Sequence, residues 1–293
     1  MLTNNLLKRT TLIETAPSLP GFRQFIGAWL CTHRKNLLVD VGPMNTVETL
    51  IGTLSRMGVR RIDYVLLTHV HIDHSGGLAR LLEHSPATMV ICHEKAVKHL
   101  TGPSKLWEAS RRTLGQTAEA YGAPRPVEES RLIPHTEVSL PGLEILETPG
   151  HAGHHLSFSW EGMLFAGEAA GNYYTWENRE YLRPATPPRF YKDVFLASLD
   201  RLSALEDQPI CYAHFGKADS SRGMLKRFRR QILRWGDIIQ KIGTEESENP
   251  VRRCVDALLH SDPELSTFPH MDPAIQERER YFIGNSVKGF LDF

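Results

Sequence analysis

The sequence predicts an α/β fold of two sheets packed face to face with helices outside, followed by a helical C-terminal region. Up to about residue 216, short strand-like apolar runs alternate with helical patterns. Beyond that point the pattern becomes helical, with Leu225, Phe228, Ile232, Trp235 and Ile239 at steps of three and four. The 293 residues suffice for a substantial core. We therefore expect one domain over residues 1–216 and a helical region over 217–293 that packs on it.

The first predicted elements follow from apolar spacing and turn residues. Strands are expected at 25–30 and 37–41, and the second ends in the turn sequence Asp40-Val41-Gly42-Pro43. A helix over 46–57 ends at Gly58 and places four apolar residues on one face, namely Val47, Leu50, Ile51 and Leu54.

The next elements continue the alternation. A buried strand is expected at 62–67, then a helix at about 77–83 and a strand at 88–92. Residues 94–121 are expected to form helices with a break at Gly102-Pro103, and strands return between about 137 and 167.

Four metal-competent side chains follow the strand at 62–67 within six residues. His69 and His71 are two apart, so in an extended or turning segment they project from the same side and can hold one ion. Asp73 and His74 follow in the turn, where a second ion could be held. The carboxyl end of a buried strand is where open α/β sheets collect reacting groups. This pattern therefore predicts a metal centre.

The pattern HxHxDHxGG, from His69 to Gly77, resembles the signature of the metallo-β-lactamase-fold hydrolases. The glycine pair resembles the members nearer glyoxalase II and the lactonases. The resemblance implies a four-layered αβ/βα sandwich that forms a catalytic domain over 1–216. It also implies that the helical region 217–293 corresponds to the appended helices of glyoxalase II.

Three further candidate ligands follow apolar, strand-like runs. They are His151 in Thr148-Pro149-Gly150-His151, Glu168 after residues 163–167, and His214 after residues 209–213. The resemblance implies two sets of ligands. The first metal would be held by His69, His71 and His151. The second would be held by Asp73, His74 and His214, with Glu168 bridging the two ions.

Glu168 departs from the family, which usually has Asp as the bridging carboxylate. Because Glu is one methylene longer, it could bridge with a displaced backbone, bind only one ion, or leave one site weak. Some members, the alkyl sulfatases among them, use Glu near their metals.

The implied chemistry is hydrolysis by a metal-bound hydroxide at a dinuclear site. Divalent metals lower the pKa of bound water from about 15.7 towards about 7, so no Ser or Cys nucleophile is required. Asp73 would orient the hydroxide and could later pass a proton to the leaving group. Zinc is the default for this ligand set, although iron or manganese would also accept it.

Composition limits the partners. The chain has 34 basic and 34 acidic residues, so no global field favours nucleic acid or a membrane. Residues 1–10 lack the apolar core of a signal peptide, and no apolar run could span a bilayer. The four cysteines are widely spaced without a CxxC pair, which is typical of reduced, buried thiols. A cytoplasmic protein that acts on a small molecule is expected, with a homodimer left open.

A basic amphipathic helix is predicted after His214. Six basic residues lie on its outer face, namely Arg222, Lys226, Arg227, Arg229, Arg230 and Arg234. It could be a helix packed on the core with solvated arginines, or it could bind an anionic substrate tail or nucleic acid. Further helices are expected at 251–259 and 273–288, with an acidic loop at 245–248.

The segment after Glu168 is the expected source of specificity. It is rich in aromatic residues, and Pro184, Pro187 and Pro188 are expected to limit regular structure. Tyr173, Tyr174 and Arg183 are the candidate substrate contacts of a loop beside the metals. The rings could instead pack against the helical region.

The favoured function is hydrolysis of a small ester, thioester or lactone. The glyoxalase-type sequence Gly-Asp-Thr-Leu-Phe has no match, since Gly167-Glu168-Ala169-Ala170-Gly171 stands in its place. A phosphodiesterase or ribonuclease, an iron-dependent oxidoreductase and a ligand-binding protein on the same fold remain alternatives.

Overall fold

The computed structural model describes residues 9–188, 190–243 and 248–291. These residues form two compact units. The first unit runs to Leu19 and includes Arg23–Ile145 and Leu156–Phe165, and the second includes Pro20–Phe22, Leu146–His155 and the chain from Ala166 onward. The boundary predicted between residues 216 and 217 would separate a catalytic domain from an appended helical region. The division into two compact units does not test that boundary, which stays a prediction.

The first unit contains a six-stranded sheet whose strands lie in sequence order. The strands are β1 (Thr10–Glu14), β2 (Gly27–Thr32), β3 (Asn36–Val39), β4 (Tyr64–Leu66), β5 (Met89–Cys92) and β6 (Leu132–Pro134). The pairs β1–β2 and β2–β3 are antiparallel, whereas β3, β4, β5 and β6 are parallel neighbours. The carboxyl ends of these four parallel strands therefore lie at one edge of the sheet, where functional residues collect.

The α-helices in the described part of this unit lie in the chain between consecutive parallel strands. They are α1 (Val47–Arg56), α2 (Ile72–Ser75), α3 (Leu78–His84), α4 (Val97–Thr101), α5 (Ser104–Leu114) and α6 (Gln116–Tyr121). The predicted helix at 46–57 is confirmed, because α1 buries the four apolar residues that define its inner face. They pack with apolar residues of the parallel strands, such as Leu38, Val65 and Val90, in one core. Burial of such side chains is the main source of stability.

Further strands follow β6 in the chain. They are β7 (Leu143–Glu147), β8 (Leu156–Trp160), β9 (Met163–Gly167), β10 (Asn172–Trp176), β11 (Arg179–Arg183), β12 (Ile210–Tyr212) and β13 (Lys217–Ala218). A five-stranded sheet has the order β13-β12-β9-β8-β7, and β10 and β11 form a separate pair. The strands predicted between about 137 and 167 are confirmed.

The prediction that the segment after Glu168 lacks regular structure is wrong. β10 and β11 form a regular antiparallel hairpin in which Tyr174 pairs with Tyr181. Glu177 and Asn178 both have positive φ angles, as a tight two-residue hairpin turn requires. The prolines lie beyond the end of β11, so none of them removes a donor from the ladder.

The α-helices described in the second unit are α7 (Lys192–Ser203), α8 (Ser221–Gly243), α9 (Pro250–Ser261) and α10 (Pro273–Phe290). Apolar residues of α8, α9 and α10 form a core around Trp235, Leu258, Ile283 and Val287, which also includes Tyr181 of β11. The helices predicted at 251–259 and 273–288 are confirmed. Most of the acidic loop predicted at 245–248 lies outside the described residues.

Several basic residues of α8 form ion pairs. Arg227 contacts both Glu180 and Glu264, and Arg234 lies 2.6 Å from Asp262. Arg229 likewise pairs with Asp200. Three of the six basic residues therefore pair with acidic side chains, and whether the helix binds an anionic substrate tail or nucleic acid stays a prediction.

The four cysteines are buried and free, as the sequence predicts. Burial raises the pKa of the Cys92 thiol to about 12, which makes it inert at neutral pH. In the part of the chain that the structure describes, no helix has the length and apolarity of a membrane-spanning segment.

Candidate metal centre

The first unit presents four of the predicted ligands directly after β4. His69 and His71 lie in the extended segment after the strand, and Asp73 and His74 lie on the one-turn helix α2. Nε2 of His69 lies 3.0 Å from Nδ1 of His71, and Nε2 of His74 lies 3.8 Å from Oδ2 of Asp73. The turn predicted at Asp73 is a short helix, which brings His74 beside His69 with ring centroids 4.1 Å apart.

Asp40 organises these histidines. It follows β3, is 2% exposed and has a φ of 59°. Its Oδ2 accepts a hydrogen bond from Nδ1 of His74 at 2.9 Å. Its carboxylate also accepts from the backbone N–H and the hydroxyl of Thr68, each at 2.8 Å.

These bonds determine which nitrogen of each ring carries the proton. Because the Thr68 hydroxyl donates to Asp40, its oxygen accepts from Nδ1 of His69 at 3.0 Å. His74 likewise donates through Nδ1. The lone pair of each ring therefore lies on Nε2, where a metal ion could bind it.

The second unit holds the other three predicted ligands. His151 follows β7, Glu168 follows β9 directly and His214 follows β12. Oε2 of Glu168 lies 2.8 Å from Nε2 of His151, and Oε1 lies 3.4 Å from Nε2 of His214. All three side chains are buried. The carboxylate thus faces one histidine with each oxygen.

Local packing fixes the loop that carries His151. Gly150 has a φ of +139°, and a Cβ there would lie 2.5 Å from Cδ2 of Phe195, so only glycine fits. Nδ1 of His151 donates to the carbonyl oxygen of Ala185 at 2.7 Å. In the neutral ring, Nε2 consequently carries the lone pair, on the side of Glu168.

The donor chemistry of both units fits a cation. A lone pair of His151 cannot face a carboxylate oxygen at 2.8 Å favourably unless a positive charge, either a second proton on the ring or a bound metal ion, neutralises the pair. Imidazole and carboxylate ligands suit zinc, iron and manganese. The described residues therefore contain clusters of His, Asp and Glu side chains that could hold metal ions.

The predicted substrate residues have partners in the second unit. The hydroxyl of Tyr173 donates to Glu180 at 2.8 Å, and Tyr174 donates to the sulfur of Met271. Arg183 is 2% exposed and pairs with Glu279 at 2.5 Å. Burial raises the pKa of Tyr174 far above its ordinary value. These contacts give each of the three side chains a structural role within the second unit. Whether they also bind substrate stays a prediction.

Two buried groups near the ligands are missing from the sequence prediction. Asp40 is predicted only as part of a turn, although its position after a parallel strand places it at the same sheet edge as His69. His155 lies in the same loop as His151, and its ring bonds to the backbone of Glu168. A polar residue at the end of a buried strand is the signal that could have identified Asp40.

Comparisons with known proteins identify the family. The family model for the metallo-beta-lactamase superfamily matches residues 28–214, so the chain belongs to that superfamily. The fold predicted from the HxHxDHxGG pattern is thereby confirmed, as is the recognition of the family.

Individual relatives and a solved structure are also similar to this chain. The chain is 30% identical over 196 residues to the metallo-beta-lactamase fold-containing protein ST1585 of Sulfurisphaera tokodaii, covering 64% of this chain and 71% of that protein. It is 28% identical over 244 residues to a hydroxyacylglutathione hydrolase of Aeromonas hydrophila, covering 77% and 81% respectively. The crystal structure of the archaeal superfamily protein ST1585 from Sulfolobus tokodaii superposes with a TM-score of 0.69 at 21% identity, covering 97% of this chain and 98% of that one.

Proposed function

We propose that the protein is a metal-dependent hydrolase of a small ester, thioester or lactone. The observation that carries the proposal is the Glu168 carboxylate, which faces a histidine Nε2 with each of its two oxygens. Membership of a superfamily of metallo-hydrolases supports it. The fixed Nε2 lone pairs of His69 and His74 support it independently.

Two divalent ions complete the proposed centre. From the resemblance to the family, His69, His71 and His151 would hold the first ion, and Asp73, His74 and His214 would hold the second. Glu168 would be the carboxylate shared by the two ions, by resemblance to the bridging carboxylate of the family. Zinc is the proposed metal, and iron or manganese would accept the same ligands.

The bound ions would lower the pKa of a water molecule to about 7 and polarise the substrate carbonyl oxygen. The protein orients the imidazole rings and positions a proton acceptor. Asp40 holds two imidazoles in the tautomer that leaves Nε2 available. Asp73, whose side chain is 16% exposed, can accept a proton at Oδ2 and return it to the leaving group.

The substrate class rests on two considerations. The hydroxyacylglutathione hydrolase relative covers most of the chain and favours an acyl compound. The replacement of Gly-Asp-Thr-Leu-Phe by Gly167-Glu168-Ala169-Ala170-Gly171 argues against assigning the same substrate. The substrate we propose is therefore an acyl compound that differs from the relative's own substrate, namely a small ester, thioester or lactone.

Elemental analysis and a substrate panel test the proposal. Protein purified without added metal should contain up to two divalent ions per chain. Hydrolysis of a thioester or lactone should exceed that of bis-p-nitrophenyl phosphate, and chelation should abolish it. His71→Ala should lose metal and hydrolytic activity. His33→Ala is its matched control, since His33 belongs to the same unit but its Nδ1 bonds Glu161.

Other outcomes would contradict the proposal. Faster cleavage of the phosphodiester would indicate a phosphodiesterase. Iron content with oxygen consumption would indicate an oxidoreductase. Retention of a ligand with no turnover of any substrate would indicate a binding protein.

A further inference from the structure

The imidazole of His155 lies in the interior of the second unit and bonds through both nitrogens. The residue is 0% exposed. Its Nε2 accepts the backbone N–H of Glu168 at 3.1 Å, and its Nδ1 lies 2.8 Å from Oγ1 of Thr148. Since an N–H group faces Nε2, the ring proton must lie on Nδ1 and donate to Thr148.

This ring joins the two segments that carry neighbouring metal ligands. His155 ends the loop that begins at Thr148, and the Thr148 N–H donates to the His155 carbonyl at 3.0 Å. His151 lies at the middle of that loop. Through Nε2, His155 also holds the backbone of Glu168, whose carbonyl accepts from Gly171 N–H at 3.1 Å. The backbone of Glu168 is therefore bonded at both of its polar groups.

We infer that His155 is a positioning residue for the metal centre, which sets the placement of the Glu168 carboxylate relative to the His151 imidazole. The inference rests on the proposed function, because it assigns His155 a role towards the proposed metal ions. Its physical basis is that a buried ring with both nitrogens bonded has one orientation and one tautomer. Metal ligation depends on carboxylate placement to within about 0.5 Å.

Substitution of His155 by phenylalanine distinguishes a positioning role from a role in packing alone. His155→Phe keeps a planar ring of similar size and removes both hydrogen bonds. If the role is positioning, the folded variant binds its more weakly held ion about 10-fold to 100-fold less tightly, the scale known for groups that orient metal ligands. If the role is packing alone, the variant loses stability but its metal affinities stay unchanged.

Two milder variants keep the test decisive if His155→Phe does not fold. His155→Gln can still accept the Glu168 N–H through its amide oxygen, so its metal affinity should stay within about threefold of the parent. Thr148→Val removes the acceptor of the Nδ1–H bond but leaves the bond from the Glu168 N–H, so its affinity should fall by less than in His155→Phe.

The measurement is competition for Zn²⁺ between the full-length metal-free protein and a chromophoric chelator. Leu258→Ala, which removes a side chain from the helical core, is the control for a general loss of stability. Nitrogen chemical shifts should also show His155 of the metal-free parent as the Nδ1–H tautomer.

The outcomes are distinguishable. A parent that binds no Zn²⁺ overturns the proposed function. A parent that binds Zn²⁺ while His155→Phe binds it equally well, or while Leu258→Ala loses as much affinity, overturns the positioning role. If His155→Phe does not fold, equal affinities in Thr148→Val and the parent overturn it. An Nε2–H tautomer in the parent also overturns it.

Discussion

Replacing Asp40 with asparagine tests how the protein orients the histidines that we propose as metal ligands. In Asp40→Asn, the amide oxygen can keep the bonds from Thr68, but an NH2 group then replaces Oδ2 opposite Nδ1 of His74. Two donors would face each other at 2.9 Å. His74 would have to move its proton to Nε2, which is the nitrogen assigned to the metal.

The magnitude follows from the bond that is lost. A hydrogen bond to a charged group is worth about 1.5–3 kcal/mol, and about 1.4 kcal/mol corresponds to a tenfold change in affinity. The second ion should therefore bind about 10-fold to 100-fold less tightly. The first ion should be affected less, because Thr68 can still accept from Nδ1 of His69.

The assay is stepwise titration of Zn²⁺ into metal-free parent and variant in the presence of a competing chelator. Asp207→Asn is the matched control, since Asp207 also accepts a hydroxyl bond from Ser220 and a backbone bond from Arg222, neither of which is a proposed ligand. Two unchanged affinities in Asp40→Asn, within about threefold, would refute the assigned tautomer role.

Four further substitutions have defined outcomes. His71→Ala should lose the first ion and its hydrolytic activity while remaining folded, and full activity at unchanged metal content would contradict its assignment. Asp73→Asn should lower kcat by at least about 100-fold, the scale of a positioned acid or base, so a kcat within threefold at full metal content would exclude that role. Glu168→Asp should lower the occupancy of at least one site, because the shorter carboxylate cannot reach both histidines from the same backbone; a raised metal-to-protein ratio would show that Glu168 serves one ion only. Burial by itself would raise the pKa of Glu279, but two buried arginines outweigh it and hold the pKa at about 2, against an ordinary value of 4.5. The stability from this carboxylate is therefore present above about pH 4.5 and is lost as the pH falls towards 2, and acid unfolding of Glu279→Gln should lack this dependence.

Local patterns predict most of the regular structure. The face of α1 and the positions of β4, β5 and β9 follow from apolar spacing and from the residues that end each run. The hairpin β10–β11 departs from the prediction, because prolines near its end suggest irregular structure whereas its aromatic residues favour strand pairing. Strand β6 has only three residues and carries too little pattern to be recognised.

The family and the candidate ligands can be recognised in the chain alone, because His69, His71, Asp73 and His74 lie within six residues and form one motif. The three remaining candidate ligands can be proposed from their places after apolar runs. The protonation of the rings depends on folding, since Asp40 is 34 residues from His74 and no local pattern links them. The same holds for Arg183, which a sequence can place at a pocket or at the surface but which folding buries against Glu279, 96 residues away. Hydrogen bonds between distant segments depend on three-dimensional proximity, which periodicity does not encode.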